Sequence, residues 1–236
     1  MGQHRNRAQA DARGNALRIG IMSARKREVK PVLKTLAGSE IQDKLGGTLY
    51  AGRIRNHDIV LACSQVGKVK AAARAQYLID HFQVECIFLV GVAGAINPEL
   101  RIGDIVISDH TIEHDYWKSQ WYQADRRLIE AAVNAGKRLQ LTGKVLVGSV
   151  LTGDQPCADT SKKEQLRQQF TGDCVEMEGA AVAHVCYLNT VPFVIIRAIS
   201  DLANEEAIDE IMRSYNEVVE WPARIFMEIV NCDDLL

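Results

Sequence analysis

The sequence predicts an α/β fold: a single domain with a central mixed β-sheet flanked by helices. Three observations predict it. Short, wholly apolar runs such as Cys86 to Val90 have the length and character of strands buried on both faces. They alternate with helical patterns along the chain. The 236 residues, 47% of them hydrophobic, suffice for one sizeable core.

The elements follow in order. The first sixteen residues, MGQHRNRAQADARGNA, are polar and basic and lack the apolar centre of a signal peptide. They read as a disordered tail, with one domain from 17 to 236. Leu17 to Met22 is an apolar first strand, and Glu28 to Leu36 has helical spacing. Gly46-Gly47 punctuates the chain. Thr48 to Arg53 and Ile59 to Ser64 form a hairpin with Arg55-Asn56-His57 near its turn. Lys68 to Phe82 is rich in helix formers. The strand Cys86 to Val90 exits into the small-residue run Gly91 to Ala95. Asp104 to Ser108 is a strand, Asp125 to Leu139 an amphipathic helix, and Lys144 to Leu151 another strand. Thr160 to Gln169 is helical, capped by Asp159 or Thr160. Gly179 to Leu188 is a helix and Pro192 to Ala198 a strand. A last helical stretch, Glu205 to Ile229, is interrupted near Trp221-Pro222, because proline cannot extend a helix freely.

A net charge of −2 gives no support for a nucleic-acid partner, and no apolar run has the length to span a membrane. Six scattered cysteines without CxxC spacing indicate neither zinc nor a redox motif, and read as free thiols of a reducing cytosol. The histidines lack metal-ligand spacing, so no metal or cofactor is implied.

Chemistry concentrates between Val175 and Asp201. Ligands gather at the carboxyl ends of strands in open α/β sheets. Asp201, after Ser200, is either an acid at a strand end or an N-cap for the next helix. Strand alternation sends Glu176 and Glu178 to one face and Met177 to the other; the pair is either a site or a solvated strand end. The run Gly91, Val92, Ala93, Gly94, Ala95 lacks a phosphate-loop ending, and either admits a flat ring close to the backbone or is a tight loop exit. Arg25-Lys26-Arg27 is an anion site or a solvated helix start, and Glu28 beside it is a base or a first-turn acid. The aromatic segment around His114 to Trp117 covers a ligand or an interface.

Together VEMEGAA, RAISD, GVAGAINPELRIGDIVISD and VGKVKAAA resemble the purine nucleoside phosphorylase superfamily, over about Leu17 to Ile229. Within it the chain is most similar to the nucleosidases that act on methylthioadenosine and S-adenosylhomocysteine. The resemblance implies Asp201 as the general acid at purine N7, oriented by Ser200, and Glu28 as the carboxylate that activates water. It implies Glu178 on the ribose hydroxyls, Met177 against the sugar, and Glu176 and Arg197 on the nucleophile side. Val92, Ala93, Gly94, Pro156 and Cys157 fall at the base pocket. Phosphorylases of this kind carry Arg and Ser where this chain has Leu89 and Val92. Neither residue binds an anion, so water is expected as nucleophile, with a phosphorylase using Arg25 or Arg27 as the alternative and a non-catalytic nucleoside sensor as a third reading. The chain departs from the nucleosidases at Val92, at Pro156-Cys157, at Arg25 and in the short acidic run ANEEAIDE, which points to a polar or large 5′ group. The resemblance also implies a homodimer, with His114 to Tyr122 as a candidate contact.

Overall fold

The computed structural model describes residues 16–42 and 48–232. The expected tail and the Gly46-Gly47 break lie outside the described residues, apart from Ala16. Strand β1 (Arg18–Ser23) leads through a turn to the short helix α1 (Lys30–Thr35). Strands β2 (Ala37–Gln42), β3 (Thr48–Ile54) and β4 (His57–Cys63) follow, then helix α2 (Lys68–Phe82) and strand β5 (Cys86–Ala95). Next come β6 (Ile105–Glu113), β7 (Trp121–Gln123), α3 (Arg126–Arg138), β8 (Val145–Thr152), α4 (Thr160–Phe170) and β9 (Cys174–Glu176). Helix α5 (Gly179–Leu188), strand β10 (Phe193–Asp201) and helices α6 (Ala207–Val218) and α7 (Trp221–Asn231) complete the order. The α/β expectation is borne out.

The mixed sheet runs β10-β6-β8-β9-β5-β1-β4-β3-β2, and β10 also pairs with β5. The strands β10, β6, β8, β9 and β5 therefore close a ring, and β1 to β4 extend from it as an open wing. Strand β5 joins the two parts: residues 86–89 pair with β1, while Gly94 and Ala95 pair with β9. Its residues 87–94 run parallel to β10, with Arg197 opposite Gly91 and Asp201 opposite Gly94.

Side-chain alternation divides the core into two faces. Phe88 and Val90 of β5 pack with Ile19, Ile21, Val194 and Ile196 beneath α1, α3 and α7. Phe88 meets Phe226 of α7 edge to face, with ring centroids 5.1 Å apart. Ile87 and Leu89 point the other way, against Ala71, Ala75 and Leu78 of α2 and Val182, Ala183 and Cys186 of α5. The small side chains of α2 and α5 let both helices lie close on the sheet. Asp125 caps α3 by accepting from the amides of Arg127 and Leu128. Asp159 does the same for α4 through the amide of Lys162.

Three local expectations change, and one strand is added. The run Gly91 to Ala95 is neither a phosphate loop nor a loop exit, because it continues β5. Residues 37–42, to which the sequence assigned no element, pair with β3 as an edge strand. Strand β9 ends at Glu176, so alternation does not govern Glu178, which stands at the N-terminus of α5. Glu28 precedes α1 rather than lying in its first turn.

Candidate active site

The carboxyl ends of β1, β5, β9 and β10 open into a cleft of about 620 Å³. The twelve residues expected at the site, from Glu28 to Asp201, all line it. The fold brings them together because β5, β9 and β10 are neighbours in the sheet, and because the turn after β1 folds back over β5.

Asp201 sits in the last position of β10 and is 4% exposed. It does not cap α6, whose N-cap is Glu206. Ser200 Oγ donates to Asp201 Oδ2 at 2.8 Å, and the Ala203 amide donates to Oδ1 at 3.0 Å. Burial raises the Asp201 pKa, against the lowering effect of those two bonds. Ser214 Oγ donates to the Ser200 carbonyl at 2.6 Å and ties this strand end to α6.

Glu28 is equally buried, at 3% exposure. Its Oε2 accepts the Arg25 amide at 2.8 Å, and its own amide donates to the Arg25 carbonyl at 3.0 Å. Burial raises the Glu28 pKa, opposed by the bond from Arg25 and by the charge of Arg197. This reciprocal turn fixes a carboxyl group over β5 near Gly91.

The small residues of β5 have a steric function. A Cβ on Gly91 would collide with Arg197 Nη1, and a Cβ on Gly94 would lie 2.6 Å from Asp201 Oδ1. These two glycines leave room for the side chains of β10. Their separation of three residues puts the Glu28 and Asp201 positions roughly 10 Å apart along the strand. That gap leaves room for a small ligand between two buried carboxyl groups.

Between these two carboxyl groups lies a buried ionic knot. Arg197, 1% exposed, binds the Glu176 carboxylate and lies 3.6 Å from Glu178 Oε2. Burial works against the guanidinium charge, but Glu176, Glu178 and Glu28 together raise its pKa. Glu176 also accepts from Thr152 Oγ1 and from the amides of Glu178 and Gly179 at 3.0 and 2.8 Å. It was expected on the nucleophile side. Its oxygens are instead occupied by protein donors, and it anchors Arg197 and the start of α5. Arg197 answers the repulsion expected between Glu176 and Glu178. Glu178 Oε1 accepts the Gly67 amide at 2.9 Å, and burial, followed by the Glu176 charge, moves its pKa up to about 7. Gly67 has φ +111°, a conformation that favours glycine.

Met177, Val92 and Ala93 form the apolar lining between the carboxyl groups. Pro156 and Cys157 close the Asp201 end, where the Cys157 thiol lies 3.9 Å from the Ala203 carbonyl oxygen. Leu89 is buried in the sheet core, away from any anion. Among the described residues no cluster of His, Cys, Asp and Glu has a metal-binding arrangement.

A family model for the phosphorylase superfamily matches residues 18–231. The chain belongs to that superfamily. It is 36% identical over 206 residues to the 5′-methylthioadenosine/S-adenosylhomocysteine nucleosidase of Tolumonas auensis, covering 81% of this chain and 89% of that one. It is 34% identical over 204 residues to the aminodeoxyfutalosine nucleosidase of Campylobacter jejuni, covering 81% and 88%. The structure of futalosine hydrolase from Helicobacter pylori matches with a TM-score of 0.85 at 27% identity, covering 91% of this chain and 97% of that one. The resemblance drawn from the motifs is borne out, and these relatives are hydrolases of N-glycosidic bonds.

Sequence reasoning missed one wall of the cleft. Ile208, Ile211, Met212 and Tyr215 of α6 line the cleft, although Ile208 and Met212 are largely exposed. Their spacing of three and four residues carries the signal. The acidic residues between them drew attention to the polar face instead. Gly67 was also missed as the donor to Glu178. Nothing local marks it, because its partner lies 111 residues away.

Proposed function

We propose that the chain hydrolyses the N-glycosidic bond of an adenine-type nucleoside with a modified 5′ group, such as methylthioadenosine or S-adenosylhomocysteine. Asp201 is the general acid and Glu28 the general base. The single observation that carries this reading is the pair of buried carboxyl groups, both raised in pKa, at opposite ends of one cleft. Cleavage passes through an oxocarbenium-like state that needs a proton on the leaving base and a deprotonated water at the sugar.

The roles follow from the surroundings of each group. Burial favours the protonated form of Asp201, which donates its proton to N7 of the departing purine. Ser200 and the Ala203 amide fix the direction of that carboxyl group. Glu28 draws a proton from water beside Arg197, whose positive charge favours the ionised carboxylate. Glu178 accepts from the ribose hydroxyls, and Met177 packs on the sugar. Water is the nucleophile, since Leu89 is buried core, Val92 is apolar and Glu28 repels a phosphate dianion.

The six cysteines are free, four of them buried, which supports a reducing, cytoplasmic setting. No described helix is long and apolar enough to cross a membrane. We also propose that two copies pair through the apolar surface of Trp117, Trp121 and Tyr187. The first two are 81% and 63% exposed, and Tyr122 links β7 to α5 by stacking on His184 and contacting Tyr187.

The test is adenine release from a panel of 5′-modified adenosines, with and without phosphate. Free base and free sugar without phosphate are expected. The Asp201→Asn variant should lose about 10²- to 10⁴-fold in turnover while still binding nucleoside. Undiminished turnover in that variant removes Asp201 from its role. Intact nucleoside recovered from every reaction, despite tight binding, replaces the enzyme with a sensor.

A further inference from the structure

The Glu178 side of the cleft depends on a residue that does not line it. Gly67, just ahead of α2, gives its amide to Glu178 Oε1 at 2.9 Å. The next residue, Lys68, opens α2, where a cation stands against the helix dipole. Its side chain is nonetheless held in place and is only 13% exposed. The ammonium group binds Glu113 at the end of β6 at 2.9 Å, Asp115 at 2.7 Å and Asp154 at 3.2 Å. Burial works against that charge, but the bonds to Asp115, Glu113 and Asp154 raise the Lys68 pKa, so the group stays charged. Asp115 also accepts the Asp154 amide at 2.7 Å. Asp154 runs directly into Gln155, Pro156 and Cys157, which line the Asp201 end of the cleft. One lysine therefore fastens the helix start that holds Glu178 to the ends of β6 and β8.

We propose that Lys68 is a positioning residue for sugar recognition: clamped by Glu113, Asp115 and Asp154, it holds the Gly67 amide on Glu178 and so orients the carboxylate that receives the ribose hydroxyls. This rests on the nucleosidase reading, which gives Glu178 that task. Glu178 needs such a support. Its Oε2 lies 3.6 Å from Arg197, while burial and the Glu176 charge favour its neutral form. The Gly67 amide favours the ionised form, whose oxygens can accept from two neighbouring hydroxyls at once. Without the ammonium group, Glu113, Asp115 and Asp154 face one another as like charges. Their repulsion spreads the ends of β6 and β8, and the start of α2 loses its anchor. Gly67 has no side chain to hold its own position, so its amide is then free to leave Glu178.

The experiment compares 5′-methylthioadenosine with its 3′-deoxy analogue, which lacks one ribose hydroxyl. kcat/KM for adenine release is measured for the wild type, Lys68→Met and Glu178→Gln. A hydrogen bond to a charged group should make the wild type prefer the ribose compound by about tenfold or more. Glu178→Gln should lose most of that preference. Lys68→Met should lower it by about threefold or more, although residue 68 lies outside the cleft. Because the preference is a ratio within each variant, a general loss of activity or of base binding cancels. A smaller fall in Lys68→Met, beside a clear fall in Glu178→Gln, overturns the proposal. If Lys68→Met does not fold, Asp115→Asn takes its place under the same criterion, because it removes the carboxylate shared by Lys68 and the Asp154 amide. If the wild type shows no preference, or cleaves neither compound, the reading of Glu178 fails by itself. Lys68 is then judged in the ligand-free protein by hydrogen exchange of the Gly67 amide. That amide should exchange about tenfold faster in the variant while the amides of β5 keep their protection. Unchanged Gly67 exchange overturns the proposal there.

Discussion

Replacing Gly94 by Ala adds one methyl group at the point where β5 passes Asp201, the proposed general acid. The backbone tolerates it, because Gly94 is not among the glycines with positive φ. The obstacle is the side chain of β10. The new Cβ would lie 2.6 Å from Asp201 Oδ1, 3.4 Å from Asp201 Cγ and 3.1 Å from the Ala203 Cβ. Carbon and oxygen need roughly 3.4 Å, so the carboxyl group must move by nearly 1 Å. It has little freedom to do so while Ser200 Oγ and the Ala203 amide hold its two oxygens. Ala203 itself sits at φ +51° in a tight turn. Misplacing a reacting group by about 1 Å costs on the order of 10²-fold in rate. Overpacking of this kind costs about 1 to 3 kcal/mol, and each kcal/mol lowers the Tm by about 2 to 4 °C at this size. The assay is kcat for adenine release beside a thermal melt. Gly136→Ala on α3, whose Cβ would meet Val145 far from the cleft, serves as the control. A folded Gly94→Ala protein that retains wild-type turnover would refute the reasoning that the missing Cβ sets the position of the acid.

Other outcomes follow from the same geometry. Arg197→Met leaves Glu176, Glu178 and Glu28 facing one another without their buried cation, and should cost about 3 to 5 kcal/mol in chemical denaturation; a loss below about 1 kcal/mol would mean the knot is not held by charge. With the proposed roles of Glu28 as base and Asp201 as acid, the rate profile should be bell-shaped, because the base must ionise as pH rises while the acid must keep its proton. Both limbs should lie above the ordinary values of 4.5 and 3.8, and Asp201→Asn should abolish the alkaline limb. Glu178, raised from 4.5 to about 7, contributes stability that is full below pH 4.5 and is lost as pH rises towards 7. The Tm of Glu178→Gln relative to wild type should therefore climb across that window, and a flat difference would remove the shift. Trp117→Ser with Trp121→Ser should turn a dimer into a monomer in sedimentation; an unchanged dimer moves the interface elsewhere.

The sequence by itself determined the layered architecture, because buried strands such as Cys86 to Val90 and helices such as Lys68 to Phe82 declare themselves by local apolar pattern and propensity. It also determined the family, through motifs that lie in short contiguous runs. The edge strand Ala37–Gln42 was illegible because its apolar content is low and its stability comes from pairing with β3. Tertiary structure alone decided how the acids differ. Glu176 and Glu178 stand two residues apart with the same side chain, yet one is occupied by Thr152, Arg197 and two amides while the other takes only Gly67 and the edge of Arg197. Their partners come from strands and loops distant in sequence, so no local pattern separates them. The same holds for Gly91 and Gly94. Their composition suggested a loop, but the space they leave is filled by Arg197 and Asp201 from the neighbouring parallel strand. Burial, which raises the pKa of both Asp201 and Glu28, exists only once the tertiary structure has closed around them.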